Sequence, residues 1–389
     1  MQEFIPLSVP VLKGNEMKYV GECIETDWVS SVGKYVDQFE HDLREFVGAE
    51  HAVACVNGTA ALQIALKVVG VEQGDEVIVP TVTFISSVNV INYLGAKPVF
   101  MDCDDYYNID IQKVLEFIDQ ETVFKEGFSY NKKTGARISA IMPVHVFGNA
   151  VLLTDLARIC KQKNIKIVED AAESLGTYYD SFQGKKTYTG VVGDIGCYSF
   201  NGNKIITTGG GGMLVTNDAV YAQKAKYLTT QAKDDEVRYI HHEVGYNFRL
   251  TNIQAAMGVA QLEMLPEYIK IKEKNYAFYK QQIDAITGVN IAGVPTYAQS
   301  NYWMYALQVD SNKYSKSADE LISIFKDYCI QVRPLWYLSH LQKPYAGCQA
   351  YKIEKALKML QCTLNIPCSV NLSEQDIERV IVVLRKYKL

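Results

Sequence analysis

The chain of 389 residues carries nine cysteines, at positions 23, 55, 103, 160, 197, 329, 348, 362 and 368, yet contains no Cys-x-x-Cys pair. That absence argues against zinc ribbons and dithiol redox motifs, and cysteines set mostly inside apolar runs read as reduced core thiols. Glycine turns are present, but none is followed by Gly-Lys-Ser/Thr, and the first strand pattern runs into Val56-Asn-Gly-Thr-Ala-Ala61 rather than Gly-x-Gly-x-x-Gly. A nucleotide P-loop and a Rossmann dinucleotide site are both excluded. Nor is there a basic excess: 39 Lys and Arg against 44 Asp and Glu leave a net charge of -5. Nucleic acid is therefore not an expected partner, and any phosphate must be met by local donors. The longest apolar stretch, Ala52 to Val71, is interrupted by Asn57, Gln63 and Lys67, and the N-terminal Met-Gln-Glu-Phe-Ile-Pro lacks a basic segment followed by an apolar one. No membrane partner is expected, and the expected location is cytoplasmic.

What remains is a composition with 48% hydrophobic residues, enough to bury a large core split between two domains. From residue 50 to about residue 216, short β-branched runs alternate with segments of helical period. The strand patterns cover 52–56, 76–79, 97–101, 138–144, 165–169, 195–200 and 213–216, with helices predicted over 59–69, 86–93, 111–119 and 153–163. Such alternation predicts an α/β domain with a largely parallel sheet, whose ligands sit beyond the carboxyl ends of its strands. The polar insert 124–137 reads as a surface hairpin, with Asn131-Lys-Lys-Thr-Gly135 as its turn signal. A long helix is expected from Asn252 past Pro266, joining the large domain, 31–265, to a smaller α+β domain, 266–389. In that smaller part, strands are predicted over 303–309 and 331–333, and helices over 318–328 and 373–386. Residues 1–30 are expected to pack near the small domain or the mouth of the site.

Four features stand at or near predicted strand ends. Lys204 is the only charged residue in the loop between strand 195–200 and the four glycines 209–212, where a reactive amine could be pressed against a ligand; the alternative is a solvated loop lysine. Asp170 ends the run Ile165-Lys-Ile-Val-Glu-Asp170 and is followed by two alanines, so it either meets a cation or caps a helix. No histidine or carboxylate cluster at ligand spacing accompanies it, which disfavours a metal. Asn57-Gly58-Thr59 is a strand-to-helix turn whose first amides suit a phosphate, or an ordinary turn with Thr59 as N-cap. Phe84 follows Pro80-Thr-Val-Thr and either stacks on a planar ring or belongs to the core. One ligand accounts for all four: pyridoxal phosphate needs an amine, an acid for its ring nitrogen, a phosphate cup and a stacking face. Ser199, five residues before the lysine, adds a hydroxyl.

The ordered set of segments that carry these residues resembles the fold-type I, pyridoxal-phosphate-dependent sugar-nucleotide aminotransferases, the DegT or StrS family. The matching stretches are Ile5-Pro-Leu-Ser8, Trp28-Val-Ser with Phe39-Glu40, Asn57-Gly-Thr-Ala-Ala-Leu62, Pro80 to Phe84, Glu169-Asp-Ala-Ala-Glu173, Ser199-Phe with Lys204, Gly245-Tyr-Asn-Phe-Arg249 through Ala256, and Arg333-Pro-Leu-Trp336 with His340. The resemblance implies that Lys204 and Asp170 are catalytic, Lys204 holding the cofactor and Asp170 partnering its ring nitrogen. It also implies that Phe84 stacks, that Gly58, Thr59 and Ser199 hold the phosphate, and that Glu173 stands beside the 3-hydroxyl where many relatives have glutamine or histidine. Asn247 would reach the neighbouring subunit's phosphate in a homodimer with shared sites. Glutamate is the implied amino donor and a nucleotide sugar the acceptor. Gly210 stands where many relatives have an acidic residue, which resembles the bacillosamine and legionaminic acid precursor branch and implies a UDP-linked 2-acetamido-4-keto-6-deoxy sugar aminated at C4. The alternatives are a dTDP- or GDP-linked 3- or 4-keto sugar, or a regulatory protein of the same fold. His145 and His340 are further candidates to line the site, as is Arg333, while His241 and His242 adjoin the Asn247 segment.

Overall fold

A computed structural model describes residues 3–235 and 237–388. Met1, Gln2, Glu236 and Leu389, which the expected N-terminal, large and small regions include, lie outside the described residues. The chain enters through α1 (Glu16–Glu25) and α2 (Lys34–Val47), then alternates β1 (His51–Cys55), α3 (Gly58–Val68), β2 (Glu76–Pro80), α4 (Ser86–Tyr93), β3 (Lys97–Met101) and α5 (Ile111–Gln120). A hairpin, β4 (Thr122–Lys125) and β5 (Phe128–Asn131), precedes β6 (Ile138–Ile141), α6 (Thr154–Lys163) and β7 (Lys166–Asp170). Next come β8 (Tyr178–Phe182), β9 (Lys185–Tyr188), β10 (Ile195–Ser199), β11 (Gly212–Thr216), α7 (Ala219–Thr229) and the long α8 (Asn252–Ile283). The remainder holds β12 (Val289–Ile291), β13 (Ala298–Gln299), β14 (Tyr305–Val309), α9 (Ala318–Asp327), β15 (Arg333–Pro334), β16 (Ala350–Tyr351), α10 (Lys355–Cys362), β17 (Thr363–Ile366) and α11 (Glu374–Lys386).

The large sheet has the order β1-β11-β10-β7-β6-β2-β3-β16. Only β11 runs against its neighbours; every other pairing is parallel. β2 is buried along its whole length and β7 along all but its first residue, as expected of parallel strands covered on both faces. One face packs against α3, α4 and α7 through Leu62, Ile64, Val88 and Leu228, and the other against α5 and α6 through Phe117, Ile118 and Leu156. A second sheet, β12-β14-β17-β15, carries α9 and α11 on its own core of Leu307, Leu321, Phe325 and Val380. Among the described residues no helix is long and apolar enough to cross a membrane.

Some elements sharpen the sequence reading and others correct it. The insert turns twice: at Asn131–Gly135, where the Gly135 amide donates to the Asn131 carbonyl at 2.8 Å and Tyr130 pairs with Arg137, and, unforeseen, at Glu126-Gly127 between β4 and β5, both with positive φ, 53° and 81°, the two-residue turn that matches strand twist. Strand β16 lies within residues 266–389 yet extends the large sheet, Ala350 pairing with Phe100 and Tyr351 with Met101. α1, not among the predicted helices, turns only Glu16 and Cys23 fully inward and leaves Met17 and Ile24 exposed. α8 continues through Pro266 for 32 residues behind a capping box formed by Thr251 and Gln254. The N-terminal segment is tied to the second sheet's end of the molecule: Ile5 pairs with Ile330, and the Leu7 carbonyl accepts from the Cys368 amide at 2.8 Å.

Candidate active site

β1, β2, β7 and β10 share one direction, so their carboxyl ends open on one edge of the sheet. Asp170 is the last residue of β7. Its backbone is locked from both sides, the amide donating to the Pro143 carbonyl at 2.9 Å and the carbonyl accepting from the His145 amide at 3.1 Å. The side chain accepts from Ser87 Oγ at 2.6 Å and from the Ala172 amide at 3.1 Å. Burial pushes its pKa above the usual carboxylate value, against those two bonds and the fields of Lys204 and His145. Among the described residues no cationic side chain forms an ion pair with it. A buried carboxylate left in that state is suited to a protonated nitrogen brought by a ligand. Asp170 does not cap a helix.

Lys204 sits in a turn after β10, its amide bonded to the Asn201 carbonyl at 3.0 Å. Its side chain is folded inward, 13% exposed, with Nζ 3.5 Å from Glu173 Oε1. It is not a solvated loop lysine. The other Glu173 oxygen accepts from the Phe147 amide at 2.9 Å, and burial raises the Glu173 pKa to about 7 although Lys204 pulls the other way. Phe147 holds a left-handed backbone, φ 58°, which aims its amide at that carboxylate.

The β1–α3 turn lies against the end of β10. A Cβ built on Gly58 would stand 2.8 Å from Ser199 Cβ, and one on Gly212 would stand 2.6 Å from Asn57 backbone, so only glycine permits this approach. The helix N-cap is Asn57, accepting from the Ala60 amide at 2.7 Å, rather than Thr59. Gly58 and Thr59 are thus the first two helical positions, whose amides have no acceptor within the helix, and Gly58 packs directly against Ser199. Phe84 is 55% exposed, touching the Trp336 ring edge-on at 6.4 Å between centroids; its ring is not core and is free to stack. An amine, an unpaired acid, a phosphate cradle and an open aromatic face therefore occur together at one sheet edge, and this donor set fits pyridoxal phosphate. Among the described residues no group of three or more metal-ligating side chains is gathered.

Asn247 stands apart. It is exposed on a segment bridged to Thr230, and no hydrogen bond or ion pair joins it to the other candidates among the described residues. His145 is committed elsewhere: Nδ1 accepts from the Val151 amide at 3.0 Å, which leaves Nε2 to donate to Glu169 at 2.9 Å. His340 Nδ1 is bonded to Thr81 Oγ1 at 2.6 Å beside the β2 end, and burial lowers its pKa. Arg333 is exposed, and His241 is bonded to the Gln231 carbonyl at 2.9 Å. Two contributors escaped the sequence reading. Ser87 belongs to a hydroxyl-rich entry to α4, a pattern that could have marked it, whereas Trp303 looked like the start of a core strand. Its ring lies 4.2 Å from Lys204 Nζ.

With this geometry in view, residues 10–385 match the DegT/DnrJ/EryC1/StrS aminotransferase family. A GDP-perosamine synthase of Caulobacter vibrioides is 38% identical over 382 residues, covering 98% of this chain and 97% of that protein. The putative pyridoxal phosphate-dependent aminotransferase EpsN of Bacillus subtilis is 34% identical, covering 99% and 96%. The crystal structure of a DegT DnrJ EryC1 StrS aminotransferase from Brucella abortus superposes with a TM-score of 0.85 at 27% identity, covering 96% of this chain and 95% of the other.

Proposed function

The chain belongs to the DegT/DnrJ/EryC1/StrS aminotransferase family and is a pyridoxal-phosphate-dependent sugar aminotransferase, and from that premise we propose that it moves an amino group from glutamate to C4 of a GDP-linked 4-keto sugar. The observation that carries the chemistry is the inward-turned Lys204 amine beside a buried carboxylate, with the unpaired Asp170 on the neighbouring strand end. The nucleotide rests on the relative that is 38% identical along nearly its whole length and has GDP-perosamine synthase as its name. This reading takes the place of the UDP-linked 2-acetamido sugar expected from Gly210. A Cβ at Gly210 would have Gln254 Nε2 as its nearest neighbour, at 3.7 Å, so glycine is not sterically required there.

In this reading the Gly58 and Thr59 amides with Ser199 would hold the cofactor's phosphate, Phe84 would cover its ring, and Asp170 would keep the ring nitrogen protonated through a charge-assisted bond in a dry site. The bound cofactor supplies an electron sink for the substrate carbanion. Lys204 would hold the cofactor and would move a proton to and from the substrate carbon, with Glu173 at 3.5 Å keeping its amine in reach. In net terms the amino group of glutamate would pass to the sugar ketone, leaving 2-oxoglutarate. Asn247 would complete the phosphate site of a second copy, making the working unit a homodimer.

The test is a panel of GDP-, UDP- and dTDP-linked 4-keto sugars, with a dTDP-linked 3-keto sugar, incubated with enzyme, cofactor and glutamate. Product mass and NMR should show C4 amination with the highest kcat/KM for the GDP sugar; preference for a UDP or dTDP sugar would overturn the nucleotide while leaving the aminotransferase in place.

A further inference from the structure

Glu173 is not the sole partner of Lys204 Nζ. The other is the indole face of Trp303, 4.2 Å from Nζ and within the range in which the negative face of the ring attracts a cation. The indole is buried, 3% exposed, and its Nε1–H donates to the carbonyl of Asn203, the residue before Lys204, at 2.8 Å. Ring and lysine turn are therefore held as a unit. The mount of the ring is rigid as well. Asn301, fully buried, accepts from the Trp303 amide at 2.9 Å and donates from Nδ2 to the carbonyls of Glu173 at 2.9 Å and Leu175 at 3.0 Å. The Asn301 amide donates to Thr177 Oγ1 at 2.9 Å. A Cβ on Gly148 would stand 1.9 Å from Asn301 Oδ1, so the chain leaves that site clear for the amide. One short segment, 301–303, thus fixes the backbone of Glu173 and the side chain of Lys204 together.

We propose that Trp303 is the positioning residue of the Lys204 amine: its face holds the ammonium form between the indole and Glu173, aimed at the space where the substrate carbon must lie. The proposal rests on Lys204 being the cofactor lysine. The titratable groups around Nζ are Glu173 and, further off, Asp170, with Lys272 lining the same small cavity as Lys204 and Trp303; the π face adds its attraction for the cation to that of the carboxylate. Replacing the ring with an aliphatic side chain removes the π face and the indole N–H, and frees the amine to rotate.

Two readouts test this on the full-length protein. In the chain freed of cofactor, the rate at which isotopic acetic anhydride labels Lys204 at one fixed pH, read by mass spectrometry against the surface lysines, reports how firmly the amine is held. That rate should rise about threefold or more in Trp303→Leu and by less in Trp303→Phe. In the holoenzyme, Trp303→Leu should lose about tenfold or more in kcat with KM for glutamate within about threefold, and Trp303→Phe should recover part of that loss. Should Trp303→Leu not fold, growth with fluorinated tryptophan keeps volume and N–H while weakening the π face, and the labelling rate should rise with each added fluorine. An unchanged labelling rate in every protein, or equal kcat losses in the Phe and Leu variants, would overturn the proposal. Trapping of cofactor on a lysine other than Lys204 would instead sink the cofactor reading, while the labelling rate would still report on Trp303.

Discussion

Glu173 Oε1 lies 3.5 Å from Lys204 Nζ while Glu173 Oε2 accepts the amide of a left-handed Phe147 at 2.9 Å, so one buried carboxylate ties the reactive amine to a strained turn. Burial raises its pKa from 4.5 to about 7. A raised value in the folded chain means that the contribution to stability is fully present below the ordinary carboxylate range and is lost as pH climbs through about 7. Glu173→Gln, which cannot ionise, should therefore gain in Tm on the wild type between about pH 5 and pH 8 in the cofactor-free chain. A Tm difference that stays constant across that interval would contradict the assignment.

Asp170→Asn should fold normally, since an amide oxygen still accepts from Ser87 and the Ala172 amide. It should nonetheless lose on the order of a hundredfold in kcat, about 3 kcal/mol, because an amide cannot hold a ring nitrogen protonated. Turnover within a few-fold of wild type, at equal Tm, would remove Asp170 from the chemistry.

Glu169, the residue before it, has a different task. Fully buried, it accepts from the amides of Gly190 and Val192 at 2.8 Å and of Gly193 at 2.6 Å, and from His145 at 2.9 Å. Glu169→Ala strands those donors, each loss worth about 1 to 3 kcal/mol. The urea midpoint should fall sharply, and Glu169→Gln, which keeps one acceptor oxygen, should fall less. Equal midpoints for the two variants would argue that packing, not hydrogen bonding, holds the loop.

If Asn247 serves a second copy's site, mixing Lys204→Ala with an Asn247→Ala protein under subunit exchange should restore part of the activity that neither has alone, since one of the two sites in a mixed dimer is intact. Exchange demonstrated by mass with no recovery would count against a shared site.

Much of this was legible in the chain itself. The parallel sheet announces itself because strands such as Val77 to Val79 and Val99 to Met101 are apolar on both faces, and the carboxylates that follow Ile167-Val168 stand out against that pattern. The N-cap was misread by two residues because Asn57 and Thr59 are both capable of it, and only the Asn57 bond to Ala60 decides. Ser87, Asn301 and Trp303 are contributed by α4 and by the segment before β14, the last two about a hundred residues beyond Lys204; no local period connects such residues. His145 looked like a site residue because it follows a strand, but both its nitrogens are taken by Glu169 and Val151.

The most direct test of the account is to locate the covalent attachment of the cofactor. Borohydride reduction of the holoenzyme, followed by peptide mass mapping, should find the cofactor's mass on Lys204 alone, and Lys204→Ala should lose both the tag and the visible absorption band. A second lysine, Lys272, is buried and lines one small cavity together with Lys204 and Trp303, with its pKa lowered by burial and its amine on the Cys368 carbonyl. The cofactor's mass on Lys272, or amino transfer at the wild-type rate by Lys204→Ala, would contradict the account.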